Sequence, residues 1–143
     1  MHDGRPATAE IKIRNVVEDM SLVVEFVEAF GRTRGIAPSV INDLNICLDE
    51  LLNNIISYGY DDRRDHSIRV KIAINGDELL TEIEDDGRPF DPRKSAKPNL
   101  AGDLQSRRLG GVGIHFVNRL MDDIDYDRSG RYNRLTLRKK LRT

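Results

Sequence analysis

The sequence predicts an α/β (α+β) two-layer sandwich: a mixed, mostly antiparallel sheet of about five strands that carries its helices on one face. Three observations point to it. At 143 residues the chain is long enough for one compact domain with a real core and short for two. Its periodic segments run strand, helix, helix, strand, strand, loop, helix, strand, strand, so the helices are grouped between hairpins rather than alternating singly with strands. Ile68, Val70, Ile72 and Ile74 alternate with Arg69, Lys71 and Ala73. That is the period of a strand with one buried and one wet face, because burial on both faces would give a continuous apolar run.

Taken in order, residues 1–9 are expected to be a flexible start and residues 10–143 a single domain. Ile11, Ile13 and Val16 read as a first strand. Met20, Leu22, Val23, Phe26, Val27 and Phe30 then recur at helical spacing, with Gly31 and Gly35 to end the helix. A second helix opens after Pro38 with Ser39 as the expected cap and closes at Gly59. Its apolar positions, among them Val40, Leu44, Cys47, Leu48, Leu51, Leu52 and Ile55, mark one buried face. Asn75-Gly76-Asp77 turns the alternating strand tightly into Leu79 to Asp85. Residues 87–110 are rich in proline, lysine, serine and glycine without apolar period, and so long a loop in a compact domain marks a lid or disorder. Val112 to Met121 reads as a third helix, and Ile124 to Arg128 and Leu135 to Leu141 as two strands joined through Ser129-Gly130.

Lys and Arg number 23 against 24 Asp and Glu, so the summed field gives no reason to expect nucleic acid or an anionic membrane as the main partner. Recognition of phosphate has to be local. No apolar run approaches the roughly 18 residues of a membrane span, and Met1 to Glu10 lacks a signal-peptide core, so the expected location is the cytoplasm. Cys47 is the only cysteine, which excludes an internal disulfide and a cysteine metal cluster, and its place on the helical stripe makes it a core residue. His2, His66 and His115 show no metal-ligand spacing.

Three short motifs carry chemistry. Glu50 and Asn54 lie four apart on the second helix, so one face presents a carboxylate and an amide to a single ligand. The adjacent pair Asn53-Asn54 costs helix stability, which suggests side chains kept for another purpose. An amide oxygen suits magnesium, which takes most of its remaining ligands from water and phosphate. Glu50 is placed to deprotonate a nucleophile, although alone it also reads as a solvent-facing helical glutamate. Asp85 ends a strand at the sheet margin, where its carboxylate can accept a hydrogen bond from an exocyclic amine such as that of adenine, and Gly87 lets the backbone pass close to the base. Alone, Asp85-Asp86-Gly87 also reads as an ordinary polar turn. Gly111-Val112-Gly113 opens the third helix, where unpaired amides favour a polyphosphate, and Arg107, Arg108, Lys94 and Lys97 can add charge. Neither of the two common glycine-rich phosphate loops is present.

Taken together and in this order, Glu50-x-x-x-Asn54, Asp85-x-Gly87 and Gly111-x-Gly113 resemble the N, G1 and G2 boxes of the GHKL (histidine-kinase-like) ATPases. Over nearly its whole length the chain is similar to the smallest members, the anti-sigma factor serine/threonine kinases of the RsbW and SpoIIAB type, most closely in the run Leu48 to Tyr60. The resemblance implies a Bergerat ATP-binding fold with a lid at 87–110 and ATP or ADP with Mg2+ as cofactors. It implies Glu50 as catalytic base, Asn54 as metal ligand, Asp85 as the adenine contact, and Gly87, Gly111 and Gly113 as backbone passages around the nucleotide. It further implies kinase action on an anti-sigma factor antagonist (STAS) protein, sequestration of a sigma factor, and a possible homodimer. Pro89 stands where the wider G1 pattern has glycine, and Tyr58 where relatives often carry histidine. The alternative is a non-catalytic, nucleotide-dependent protein-binding switch.

Overall fold

The computed structural model describes residues 7–95 and 111–141. The chain runs through β1 (Ala7–Arg14), α1 (Met20–Arg34), α2 (Pro38–Tyr58), β2 (Ser67–Asn75), β3 (Glu78–Asp85), α3 (Gly111–Leu120), β4 (Asp123–Ser129) and β5 (Tyr132–Lys140). Single 3-10 turns stand at Val17–Asp19 and Pro92–Ser95. The strands form one five-stranded sheet in the order β1-β2-β3-β5-β4. Every pairing is antiparallel, in line with the mixed, mostly antiparallel sheet expected but without a parallel pair among the described residues. The pair α1-α2 carries the chain back over the sheet between β1 and β2, two tight reversals join β2 to β3 and β4 to β5, and α3 lies in the chain between β3 and β4.

Local chemistry explains the ends of the elements. Gly76 and Gly130 take φ of 65° and 60° in the two hairpin turns, a left-handed region open to glycine without strain. Gly35 caps α1 with φ 68°. Gly31 does not end that helix: an added Cβ would lie 2.6 Å from Ile41 Cγ1, so its missing side chain lets α1 and α2 approach. Ser39 is not the cap of α2, because Pro38 already occupies the first turn and Ala37 stands at the cap without a side-chain bond. Ala7 to Ala9, expected to be part of the flexible start, extend β1 by pairing with Ile74, Ala73 and Ile72. Backbone pairing to a full-length neighbour overrides their weak apolar signal. Beyond β1, Asp19 accepts hydrogen bonds from the Arg14 amide at 2.9 Å and from its guanidinium at 3.1 and 2.8 Å, which fixes the turn into α1.

Among the described residues, α1, α2 and α3 cover one face of the sheet. Leu44, Cys47, Leu48, Leu51 and Leu52 of α2 press onto Ile68, Val70 and Ile72 of β2, Leu79 and Ile83 of β3, and Leu135 and Leu137 of β5, all buried. Burial pushes the Cys47 thiol up to about 12, as a packed, inert cysteine requires. The opposite face is wet and charged. Arg69 lies 3.3 Å from Glu10, 3.3 Å from Glu82 and 3.1 Å from Glu84, and Arg134 lies 2.9 Å from Glu84. Such exposed pairs add little stability each, but they leave that face without an apolar stripe.

Leu48, 1% exposed, and Ile46, 44% exposed, test this layering on a single helix. Leu48→Ala should cost about 2–5 kcal/mol of unfolding free energy in urea titrations. Ile46→Ala should stay within about 0.5 kcal/mol, and equal losses at both positions would contradict the packing described.

Candidate functional site

The apolar layer stops at one end of the sheet. There the β3–β5 register sets Asp85 directly opposite Asn133, and both side chains point inward with 5% and 4% exposure. The last turns of α2 lie above them, leaving a cavity of about 330 Å³. Leu51, Ile55, Phe90 and Leu135 give it apolar walls, while Asn54, Asp85 and Asn133 supply the polar groups. A flat apolar slot with a few fixed polar groups has the character of a small-molecule site.

Burial holds the Asp85 carboxyl above its ordinary value, against the pull of hydrogen bonds from Asn133 and Gly87. Both of those bonds fall on one oxygen: the Gly87 amide donates to Oδ1 at 2.8 Å and Asn133 Nδ2 at 3.0 Å. Oδ2 is left for a donor inside the cavity. Gly87 is required by space, since a Cβ there would lie 2.6 Å from the Gly59 carbonyl oxygen and 3.0 Å from Asp85 Oδ1. The Arg88 amide donates to that same Gly59 carbonyl at 2.7 Å, tying the end of α2 to the turn after β3.

The residues that follow α2 form a clamp on this turn. His66 lies between two carboxylates, with Nε2 2.8 Å from Asp62 and Nδ1 3.0 Å from Asp86, and its ring stacks on Tyr60 at 4.3 Å. Arg88 pairs with Asp61 across the same gap. The hydrogen bond to Asp62 raises the His66 pKa above its ordinary 6.5, burial opposes it, and Asp86 adds to the rise.

Asn54 is 7% exposed, lines the cavity, and its Nδ2 has no hydrogen-bond partner. A buried amide left so costs stability unless a ligand completes it. Among the described residues no group of three His, Cys, Asp or Glu side chains is placed to hold a metal ion. A cation there would draw most of its ligands from water and a bound anion.

Glu50 does not line this cavity, contrary to the expectation that it and Asn54 face one ligand side by side. It opens on a shallower hollow with Asn45, Ile46, Asp49 and Phe116. Helix geometry gives the reason: four residues shift a side chain about 6 Å along the axis and about 40° around it, enough to move Glu50 away from the cavity to the hollow beside Phe116 of α3. Burial, and then the neighbouring Asp49, raise its pKa. Gly111, Val112 and Gly113 form the first turn of α3, whose amides have no partner within the helix. Arg107, Arg108 and Lys97 lie outside the described residues, as does the expected lid beyond Ser95.

Asn133 is the polar group that the motifs do not reveal. A signal for it exists in the sequence, because positions 133, 135 and 137 share one face of a strand and an asparagine there points inward with two leucines.

Comparison with known proteins places the chain in a family. The family described as "Histidine kinase-like ATPase domain" matches residues 13–139. The chain is 32% identical over 94 residues to the serine/threonine-protein kinase BtrW of Bordetella bronchiseptica, covering 66% of each. It is 28% identical over 94 residues to the serine-protein kinase RsbW of Listeria monocytogenes, covering 63% of this chain and 60% of that one. The chain thus spans somewhat under two thirds of the length of these relatives. It is 28% identical over 138 residues to an anti-sigma F factor of Clostridium beijerinckii, covering 87% of this chain and 96% of that one. The solved RsbU and RsbW domains of a Mycobacterium tuberculosis protein share the fold over 94% of this chain and 32% of that one, with a TM-score of 0.68 at 16% identity.

The His66 clamp predicts a pH dependence. A folded-state pKa raised above 6.5 gives stability that is complete below that value and is lost as pH rises through the higher one. Urea unfolding of the native protein should therefore weaken between about pH 6 and about pH 9 by more than that of His66→Gln. Parallel traces for the two proteins would rule the clamp out.

Proposed function

We propose that this chain, which belongs to the histidine kinase-like ATPase domain family, is an ATP-dependent serine/threonine protein kinase. On this reading it phosphorylates an anti-sigma factor antagonist of the STAS type and sequesters a sigma factor. The observation that carries the nucleotide reading is the Asp85 carboxylate, buried in a base-sized cavity with Oδ1 held by the protein and Oδ2 left for a ligand. An adenine amine donates to that oxygen, whereas guanine presents a carbonyl at the same position and leaves the acid unpaired.

From the base, the polyphosphate leads to the first turn of α3, where the amides of Gly111, Val112 and Gly113 favour anions. Arg108, with Arg107, Lys94 and Lys97, adds positive charge from the lid over 87–110. Asn54 lines the cavity and fits a Mg2+ site through its amide oxygen, which is of the type magnesium accepts, while its unpartnered Nδ2 is free to donate to an acceptor on the ligand. Bound there, the ion would neutralise charge building on the phosphates. Glu50, one helical turn away, takes the proton of the attacking serine or threonine hydroxyl. The new bond forms between that oxygen and the terminal phosphorus, the bond to the bridging oxygen breaks, and ADP departs. The raised pKa of Glu50 moves it toward the range in which a general base works well.

The names of the relatives support the kinase reading over a non-catalytic switch using the same cavity. The family likeness is what supports the sigma factor, antagonist, cytoplasmic location and homodimer in this reading. No helix among the described residues is long and apolar enough to cross a membrane.

Two substitutions separate binding from chemistry. In calorimetric titrations with Mg-ATP, Asp85→Asn should lower affinity by about 10- to 100-fold, and native affinity would remove Asp85 from the site. Glu50→Ala should bind Mg-ATP as the native protein does while losing about 10²- to 10⁴-fold in transfer to a serine-bearing antagonist. If the native protein binds ATP and transfers nothing, the switch reading replaces the kinase.

A further inference from the structure

We propose that Asn133 is the positioning residue of base recognition: it fixes the plane of the Asp85 carboxylate, so that one oxygen is held by the protein and the other is left for the ligand, and thereby sets the preference of the cavity for adenine. The proposal rests on the nucleotide reading above and deepens it. Asn133 lies in β5 directly across from Asp85 and is 4% exposed. Its Nδ2 donates to Asp85 Oδ1 at 3.0 Å, to the Arg88 carbonyl at 2.9 Å and, at longer range, to the Gly87 carbonyl at 3.3 Å. On the other side its Oδ1 accepts from the Tyr126 hydroxyl and from Arg128 Nη1 at 3.0 Å. Arg128 Nη1 also donates to the Gly87 carbonyl at 3.0 Å.

These contacts allow one orientation of the amide. Reversing it would turn the Asn133 oxygen toward three acceptors and its NH2 toward the donors of Tyr126 and Arg128. The order is therefore Tyr126 and Arg128 holding Asn133, and Asn133 together with the Gly87 amide holding Oδ1. Turning the Asp85 carboxylate out of this plane would break both bonds to Oδ1, so its plane is fixed and the second oxygen, which has no protein partner among the described residues, is left for a ligand. Leu135 and Leu137 continue the same inward face of β5 as apolar residues, and a leucine at 133 would extend their stripe. A buried amide in that position gives direction where a hydrophobe would give packing alone.

The informative variant is Asn133→Asp, equal in shape but unable to donate when ionised. It places two carboxylates about 3 Å apart, and such a pair shares one proton until rising pH forces both to ionise. The charged and titratable groups facing the pair are Asp86, Arg128, Tyr60 and Tyr126. ATP affinity, expressed as the ratio of variant to native at each pH so that titration of the nucleotide cancels, should be near one at about pH 5.5 and fall about tenfold or more by about pH 8. The ratio of ATP to GTP affinity should fall with it. A pH-independent ratio with unchanged ATP preference would overturn the proposal. Should circular dichroism show that this variant does not fold, Tyr126→Phe decides, since it removes one of the two donors to Asn133 Oδ1 and leaves the cavity wall intact. A few-fold loss of ATP preference over GTP supports the relay, and an unchanged preference overturns it. If the native protein binds no adenine nucleotide, the proposed function fails, whereas native binding with indifferent variants removes this inference alone.

Discussion

A carboxylate buried at the end of an apolar layer governs this molecule. Moving an ionised acid out of water is costly unless hydrogen bonds replace its hydration, and a half-satisfied arrangement is worse than an apolar one. The fold meets that demand at Asp85 with donors from two separate places, the Gly87 amide of its own turn and Asn133 of the neighbouring strand. Each donor imposes further conditions. Gly87 has to lie against the Gly59 carbonyl, which excludes any side chain at 87 and ties the end of α2 to the turn. Asn133 has to be held by Tyr126 and Arg128, which brings in β4. One buried charge therefore determines how α2, β3, β4 and β5 meet.

The same demand explains why the sheet is one-sided. The inward residues of β3 read Leu79, Thr81, Ile83 and Asp85, an apolar stripe that turns polar toward the site. Outward positions carry interleaved charge, with Arg69 surrounded by Glu10, Glu82 and Glu84 so that like charges on adjacent strands are separated by a cation. That face needs no helical cover. All three helices are then free to pack on the other side, and the uncovered remainder of that side is the cavity.

Much of this was legible in the sequence, and the rest was hidden for physical reasons. The repeat from Val40 to Ile55 and the alternation from Ile68 to Ile74 each reflect burial of one face, a constraint that local spacing records directly. Asp85 at a strand end, Gly87 after it and glycines opening α3 could likewise be placed by local rules. Asn133 could not, because its significance comes from standing opposite Asp85, and cross-strand register is set by pairing between segments distant in the chain. The antiparallel sense of β1 and the recruitment of Ala7 to Ala9 depend on β2 in the same way. Ser39 misled because a proline in the first turn makes the serine cap unnecessary.

Glu50 shows what a motif leaves out. Spacing of four places Glu50 and Asn54 on one stripe of α2, yet the structure opens them onto different hollows because the stripe also advances along the axis. For a nucleotide this offset discriminates by length. On the proposed reading, a ligand that fills the cavity with its base would engage Asp85 and pass Asn54, and would meet Glu50 only by extending a further turn along α2. A nucleoside would satisfy the buried carboxylate and leave the second hollow empty, while a triphosphate reaches both. The proposed function therefore places recognition of the base and the chemistry at its far end on successive turns of one helix, with Asn54, buried between them and with its Nδ2 unpartnered, within reach of both.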